Sequence, residues 1–241
     1  MNFSFGIITN GLNDHYLQII IQSIEDNSIP HYEIIIIGNT QIKNTNNIKI
    51  INFDETIKEN WITKKKNIIV QEANYDNIVL LHDYIKFDKN WYDGFLKHGN
   101  NFDWCINPIL NTDGSRYRDY TLFPYKVSHL NINYSPCDIN PYFYNNCLLP
   151  YDFINNYEIN KYMYISGAYY VIKKNIANQY KLNENFSWND GEDVEYSKRL
   201  HDSNIIIKCN PFSTVHLIKY KDKLHFENII NDDMLHLLKL L

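Results

Sequence analysis

Three apolar runs in the first third of the chain constrain its fold most: FSFGIIT (Phe3–Thr9), YEIIIIG (Tyr32–Gly38) and NIVLLHD (Asn77–Asp83). A strand covered on one face alternates apolar and polar residues, whereas a strand covered on both faces reads as a near-continuous apolar run. These three runs therefore predict buried parallel strands. Between the first two, HYLQIIIQSIEDN has apolar residues at helical spacing, with Asn13 or Asp14 as its cap. IKIINF (Ile48–Phe53) predicts a fourth short strand, and WITKKKNIIVQEAN predicts a helix leading into Asn77–Asp83. Strand, helix and strand in repetition specify an α/β sheet built from right-handed crossovers.

Such sheets bind ligands at the carboxyl ends of their strands. The residues falling there are Thr9-Asn10-Gly11, Gly38-Asn39 and His82-Asp83-Tyr84, which gives this half the layout of a nucleotide-binding unit. Neither GxGxxG nor GxxxxGK[ST] occurs, so neither a dinucleotide fold of the usual kind nor a P-loop is supported.

The pattern changes near Asp103. INPILNTDGSRYRDYTLF predicts a hairpin turning at Asp113-Gly114. The stretch to about Lys161, rich in Tyr, Asn and Pro, predicts loops and short strands forming a lid or second substrate surface. YMYISGAYYVIKK predicts one further strand, with a small step at Gly167-Ala168 where a ligand or backbone approaches closely. FSWNDGEDVEYSKRL predicts a helix to about His201, and NIIIKCNPFSTVH a strand and a loop ending at His216. The tail MLHLLKLL predicts a terminal helix. A chain of 241 residues without repeat or linker is expected to fold as one domain. Its parts are a nucleotide-binding half over 1–102, an acceptor-side half over 103–220 and a C-terminal helix over 221–241.

A net charge of -5 excludes a general nucleic-acid binder, which would be basic. Cys105, Cys137, Cys147 and Cys209 are scattered, with no CxxC pair, as expected of reduced thiols in a cytoplasmic protein. The start MNFSFGIITNG lacks a secretory pattern, and no run approaches the length of a membrane span. The 20 tyrosines suit sugar and nucleotide surfaces.

Five pieces in order resemble the fold-type-A nucleotide-sugar glycosyltransferases, most like the large family 2, over roughly residues 3 to 220. They are GIITNG, KKKN (Lys64–Asn67), VLLHDYIKF, SGAYYVIKK and WNDGEDVEYSKRL. The resemblance implies a single-domain α/β fold: a Rossmann-like mixed sheet flanked by helices, with an acceptor-side lobe. It also implies a donor, with UDP-sugar the leading candidate, a glycan or other hydroxyl acceptor, and Mn²⁺ or Mg²⁺.

By that resemblance, Asp83 and His216 hold the metal, and Thr9, Asn10, Gly11, Asn39, Lys66, Asn67, His82, Asp83 and Gly167 line the donor site. Asp193 is the general base, Glu192 contacts the acceptor hydroxyl and Trp188 is a platform for a sugar ring. His82 is expected to point away from Asp83, and the lysines around Lys66 into water. Arg116 and Arg118 are further candidates for diphosphate or acceptor contact. Two departures are plain. The family's Asp-any-Asp motif reads Leu81-His82-Asp83-Tyr84, and Gly38-Asn39 stands where an acidic residue often holds the uracil. The altered motif keeps an alternative open, a catalytically inactive module binding carbohydrate or nucleotide. A nucleotidyltransferase is a lesser alternative, because TNGLNDH lacks that class's glycine-rich basic loop.

Overall fold

A computed structural model describes residues 1–122, 147–148, 151, 163–188, 190–221 and 228–229. The strand-and-helix order of the first half is the expected one. Strand β1 (Phe3–Ile8), helix α1 (Asp14–Glu25), β2 (Tyr32–Ile37), β3 (Ile48–Ile51), helix α2 (Ile62–Glu72) and β4 (Asn77–His82) follow one another. β1 pairs in parallel with β2 and β4, and β2 with β3.

The chain continues through β5 (Ile85–Phe87), α3 (Trp91–His98), β6 (Trp104–Ile106), β7 (Ile109–Leu110), β8 (Tyr120–Leu122) and β9 (Cys147–Leu148). Next come β10 (Met163–Ile165), β11 (Tyr169–Lys173), α4 (Lys174–Gln179), α5 (Glu192–Asp202), β12 (Ile207–Cys209), β13 (Val215–Leu217) and β14 (Asn228–Ile229). The central sheet has seven strands in the order β12-β6-β11-β4-β1-β2-β3. β11 runs against both its neighbours, β4 and β6, so the sheet is mixed.

Residues of β1 show why the sheet is buried on both faces. Phe3, Phe5 and Ile7 pack with Leu17, Ile20 and Ile24 of α1 and with Trp91 and Phe95 of α3. Ile8 packs on the opposite face, with Ile69 and Val70 of α2. Gly6 shares that face because a Cβ there would lie 2.1 Å from Cγ2 of Ile69. β2 and β4 divide in the same way, with Ile35, Ile37, Ile78 and Leu80 toward α2 and Ile34, Ile36, Val79 and Leu81 toward α1. A period of two with both rows apolar is what the sequence shows as a continuous run.

Three expectations change. YMYISGAYYVIKK is two strands in different sheets: β10 pairs with β8, β11 joins the central sheet, and Gly167-Ala168 makes the turn between them. The hairpin about Asp113-Gly114 is reduced to one antiparallel bridge, Leu110 to Arg116. His216 lies within β13, opposite Lys86 of β5, and not at the end of a loop. Most of the expected lid and of the tail helix lies outside the described residues. Cys105 and Cys209 are free and buried. Among the described residues no helix is long and apolar enough to cross a membrane.

Candidate active site

At the carboxyl ends of β1 and β4 the structure forms a cavity of about 270 Å³. Thr9, Asn10, His82 and Asp83, expected at the donor site, line it together with Trp188, expected on the acceptor side, and with Lys65, Lys219 and Lys221. Thr9 Oγ1 donates to Asp83 Oδ2 at 2.7 Å, and the Gly11 amide donates to Thr9 Oγ1 at 3.0 Å. Gly11 has φ of 82°, and a Cβ there would meet the Asn39 carbonyl oxygen at 2.5 Å. A side chain at that position is therefore excluded twice, by conformation and by space. Asn39 is exposed beside this turn.

His82 does not turn away from the site. Strand β4 ends at His82 and the chain turns at Asp83-Tyr84, which breaks the alternation on which that expectation rested. Both side chains reach the cavity. Nε2 of His82 is buried and has no hydrogen-bond partner. Burial, and the cations Lys66, Lys221, Lys65 and Arg118, hold its pKa well below the ordinary range, so the ring is neutral. Burial raises the pKa of Asp83, against the Thr9 hydrogen bond and the charges of Lys219 and Lys65.

The lysine run of α2 is not a solvated face. Lys64 is partly exposed and pairs with Glu184 at 3.0 Å. Lys65 donates to the Thr9 carbonyl at 2.8 Å and pairs with Glu55. Lys66, fully buried, donates to the Gly167 carbonyl at 2.7 Å. Lys65 therefore reaches the cavity, whereas Lys66 braces the floor beside it. Asn67 is a clamp on the chain after α4: its amide exchanges hydrogen bonds with the Leu182 carbonyl (2.9 Å) and amide (3.0 Å).

Gly167-Ala168 joins this cavity to the carboxylates of α5. The Ala168 carbonyl accepts from the His82 amide at 3.0 Å, and the Gly167 amide donates to Asp193 Oδ2 at 3.1 Å. A Cβ on Gly167 would lie 2.6 Å from Glu192 Oε1 and 3.4 Å from Lys66 Nζ, so only glycine lets these charges close in. The Val194 amide orients Asp193 Oδ1 at 2.9 Å, and Arg118 approaches Asp193 Oδ2 at 4.0 Å.

A helix start ordinarily favours ionised carboxylates, but burial dominates at Glu192. Desolvation, then the neighbouring Asp193 charge, push its pKa up to about 7, against the opposing pull of Lys66 and Arg118. Burial lowers the pKa of Lys66, while Glu192 and Asp193 raise it. The other carboxylates of the stretch are structural: Asp190 accepts from the Ser187 amide, and Glu195 pairs with Arg199 at 2.7 Å. Arg116 is likewise structural, bound to Asp119 at 2.6 Å and stacked 4.0 Å from the Tyr151 ring.

His216 is not brought to Asp83. Its neighbours Val215 and Leu217 are buried, which turns the imidazole the other way. Nε2 lies 3.2 Å from Asp88 Oδ2, in a separate cavity of about 570 Å³ between α1 and β5. The described residues lining the Asp83 cavity do not fit a divalent ion, because such an ion collects oxygen ligands and is repelled by ammonium groups. Among these described residues Asp83 is the one carboxylate, Thr9 engages one of its oxygens, and three lysines face the same space. Among the described residues no three His, Cys, Asp or Glu side chains converge on one point.

Sequence reasoning missed Lys219 and Lys221. Their separation by two residues after a strand was the available signal, since that spacing places both on one side of an extended chain.

No family profile and no curated protein sequence matches the chain. Solved structures do. A structure of GalNAc-T7 with UDP, GalNAc and Mn²⁺ aligns over 95% of this chain and 45% of that one, at 11% identity and TM-score 0.59. Residues 1–349 of S. aureus TarS align over 89% of this chain and 60% of that one, at 11% identity and TM-score 0.52. The UDP complex of TarS gives 90%, 61%, 11% and 0.51. The chain thus spans about half to three fifths of the length of these proteins. Its mixed sheet and flanking helices are the fold of the type-A nucleotide-sugar glycosyltransferases.

Proposed function

We propose that this chain is a glycosyltransferase that moves a sugar from a nucleoside-diphosphate sugar, a UDP-sugar as the leading choice, to an acceptor hydroxyl. The observation that carries this is the connection through Gly167-Ala168, which joins the strand-end cavity to Asp193, next to Glu192, by direct hydrogen bonds. A donor pocket and a proton acceptor must lie side by side for such a transfer. Both UDP complexes among the similar structures support the nucleotide.

In the proposed step, the acceptor hydroxyl attacks the anomeric carbon from the side opposite the diphosphate, with inversion. The new carbon–oxygen bond forms as the bond to the phosphate oxygen breaks. The leaving diphosphate keeps the electron pair, and the hydroxyl proton passes to Asp193. Two backbone amides orient the Asp193 carboxylate. Glu192 contacts the acceptor, and Trp188, 54% exposed at the cavity edge, offers a ring face to a sugar. Asn39 is assigned to the base.

Asp193→Asn tests this. Losing a general base costs about 10² to 10⁴ in rate, or roughly 3 to 5 kcal/mol of transition-state stabilisation. Calorimetry should show donor affinity unchanged while transfer collapses. Near-normal transfer would remove Asp193 as the base. The Leu81 substitution in the acidic motif favours one second reading, a binding module. Nucleotide binding without transfer or hydrolysis across a panel of nucleotide sugars would establish it.

A further inference from the structure

Lys219 and Lys221 have no part in the step described so far. They follow β13 in IKYKDK and both line the Asp83 cavity. The segment that carries them is pinned twice. The Ile218 amide donates to the Tyr84 carbonyl at 2.9 Å, beside Asp83. Lys221 is held through its backbone by the buried Asn111 side chain, which accepts from its amide at 3.0 Å and donates to its carbonyl at 2.8 Å. Both ammonium groups sit over the Tyr84 ring, at 5.5 Å for Lys219 and 3.4 Å for Lys221. Among the described residues neither forms a salt bridge.

Lys65 has Glu55 beside it, so its charge is largely matched. Among the described residues lining the cavity, Asp83 is the one carboxylate that Lys219 and Lys221 share. Like charges held together at a strand-end cavity disfavour the free protein and favour an anion. The crowding is visible in Lys221 itself, whose pKa is pushed down to about 7 by burial and by Lys219 and Arg118. His82 lines the same space, and its Nε2 is buried without a hydrogen-bond partner among the described residues.

On the glycosyltransferase reading above, we propose that Lys219 and Lys221 neutralise the donor's diphosphate, in place of the divalent metal that the resemblance implies. The leaving diphosphate gains charge as the bond to the sugar breaks, and two fixed ammonium groups stabilise it without a metal. The inverting step itself is unchanged. The consequence is metal-independent donor binding, against the expectation from the resemblance.

Titration calorimetry with UDP and with inorganic pyrophosphate, each in EDTA and in Mn²⁺, tests the proposal on the full chain. Both ligands should bind in EDTA, and Mn²⁺ should change UDP affinity by less than about threefold. Losing a charge-assisted contact typically costs about ten- to a hundredfold in affinity. Lys219→Gln should show such a loss, and Lys219→Gln/Lys221→Gln a larger one for both ligands. Lys219→Arg/Lys221→Arg should recover most of it. Lys219 is exposed, so its single variant should melt with the wild type even if the double variant does not. UDP binding that requires Mn²⁺ and survives Lys219→Gln/Lys221→Gln overturns the proposal and leaves the glycosyltransferase reading standing. If neither pyrophosphate nor any nucleoside diphosphate binds in either condition, both fail together.

Discussion

Glu192→Gln should remove a pH dependence of stability that the buried carboxylate imposes. Glu192 is 7% exposed, beside Asp193, at the start of α5. Its pKa is raised from 4.5 to about 7, so the folded protein holds a proton that the unfolded chain releases. The stabilisation is fully present below the unfolded value and is lost as pH rises through the folded one. At about 1.4 kcal/mol per unit, moving from 4.5 to about 7 is worth about 3 kcal/mol. Urea melts of wild type and variant from about pH 4 to about pH 8 isolate this contribution, because other titrating groups are common to both. Glutamine keeps the shape and stays neutral. Relative to wild type, the variant should gain about 3 kcal/mol across that range, nearly all of it between the two pKa values. Parallel stability profiles would refute the reasoning, since they would mean that Glu192 is solvated or already ionised in the folded state.

Two further outcomes follow from the geometry. Gly167→Ala places a methyl 2.6 Å from Glu192 Oε1, the movable end of a side chain, so the fold should lose only about 1 kcal/mol. Transfer should fall much further than donor affinity, as comparison of Tm, kcat and calorimetric Kd would show. His216→Ala should leave UDP affinity unchanged in both EDTA and Mn²⁺, because the imidazole faces the other cavity. A tenfold loss in Mn²⁺ alone would return His216 to the donor site.

The sheet was legible because burial on both faces leaves a mark in the sequence itself. Phe5, Ile7 and Ile8 of β1 must all be apolar when α1 lies on one side and α2 on the other. Thr9 and Asp83 were legible for a related reason, since they stand where such runs end, and Gly167 stood out as a small step within one. The lysine run was misjudged at Lys65 because charge alone gives no depth: Lys64 and Lys65 are adjacent, yet one is partly exposed and the other buried. Whether a lysine is solvated depends on which carbonyl lies opposite, and the carbonyl of Thr9 is fifty-six residues away. His82 was misplaced by extending strand alternation one residue past the strand. His216 was misplaced because matching a motif's order cannot say which side of a three-residue strand its middle residue faces.

The charges divide into two poles. Glu192 and Asp193 lie against the turn at Gly167, and Lys219 and Lys221 lie over Tyr84 in the strand-end cavity. Lys66 lies within the acidic pole, bonded to the Gly167 carbonyl, and reduces the repulsion between the two carboxylates that burial would otherwise make severe. In the proposed displacement a proton arrives at the acidic pole while negative charge builds on the diphosphate at the basic one. Fixed charges laid along that direction favour the transition state over the ground state, because they need no reorganisation as charge moves. Asp83 stands at the basic pole without breaking this order. Bonded by Thr9 and facing two ammonium groups, it offsets their repulsion while the site is free, which keeps the pair in place for the diphosphate.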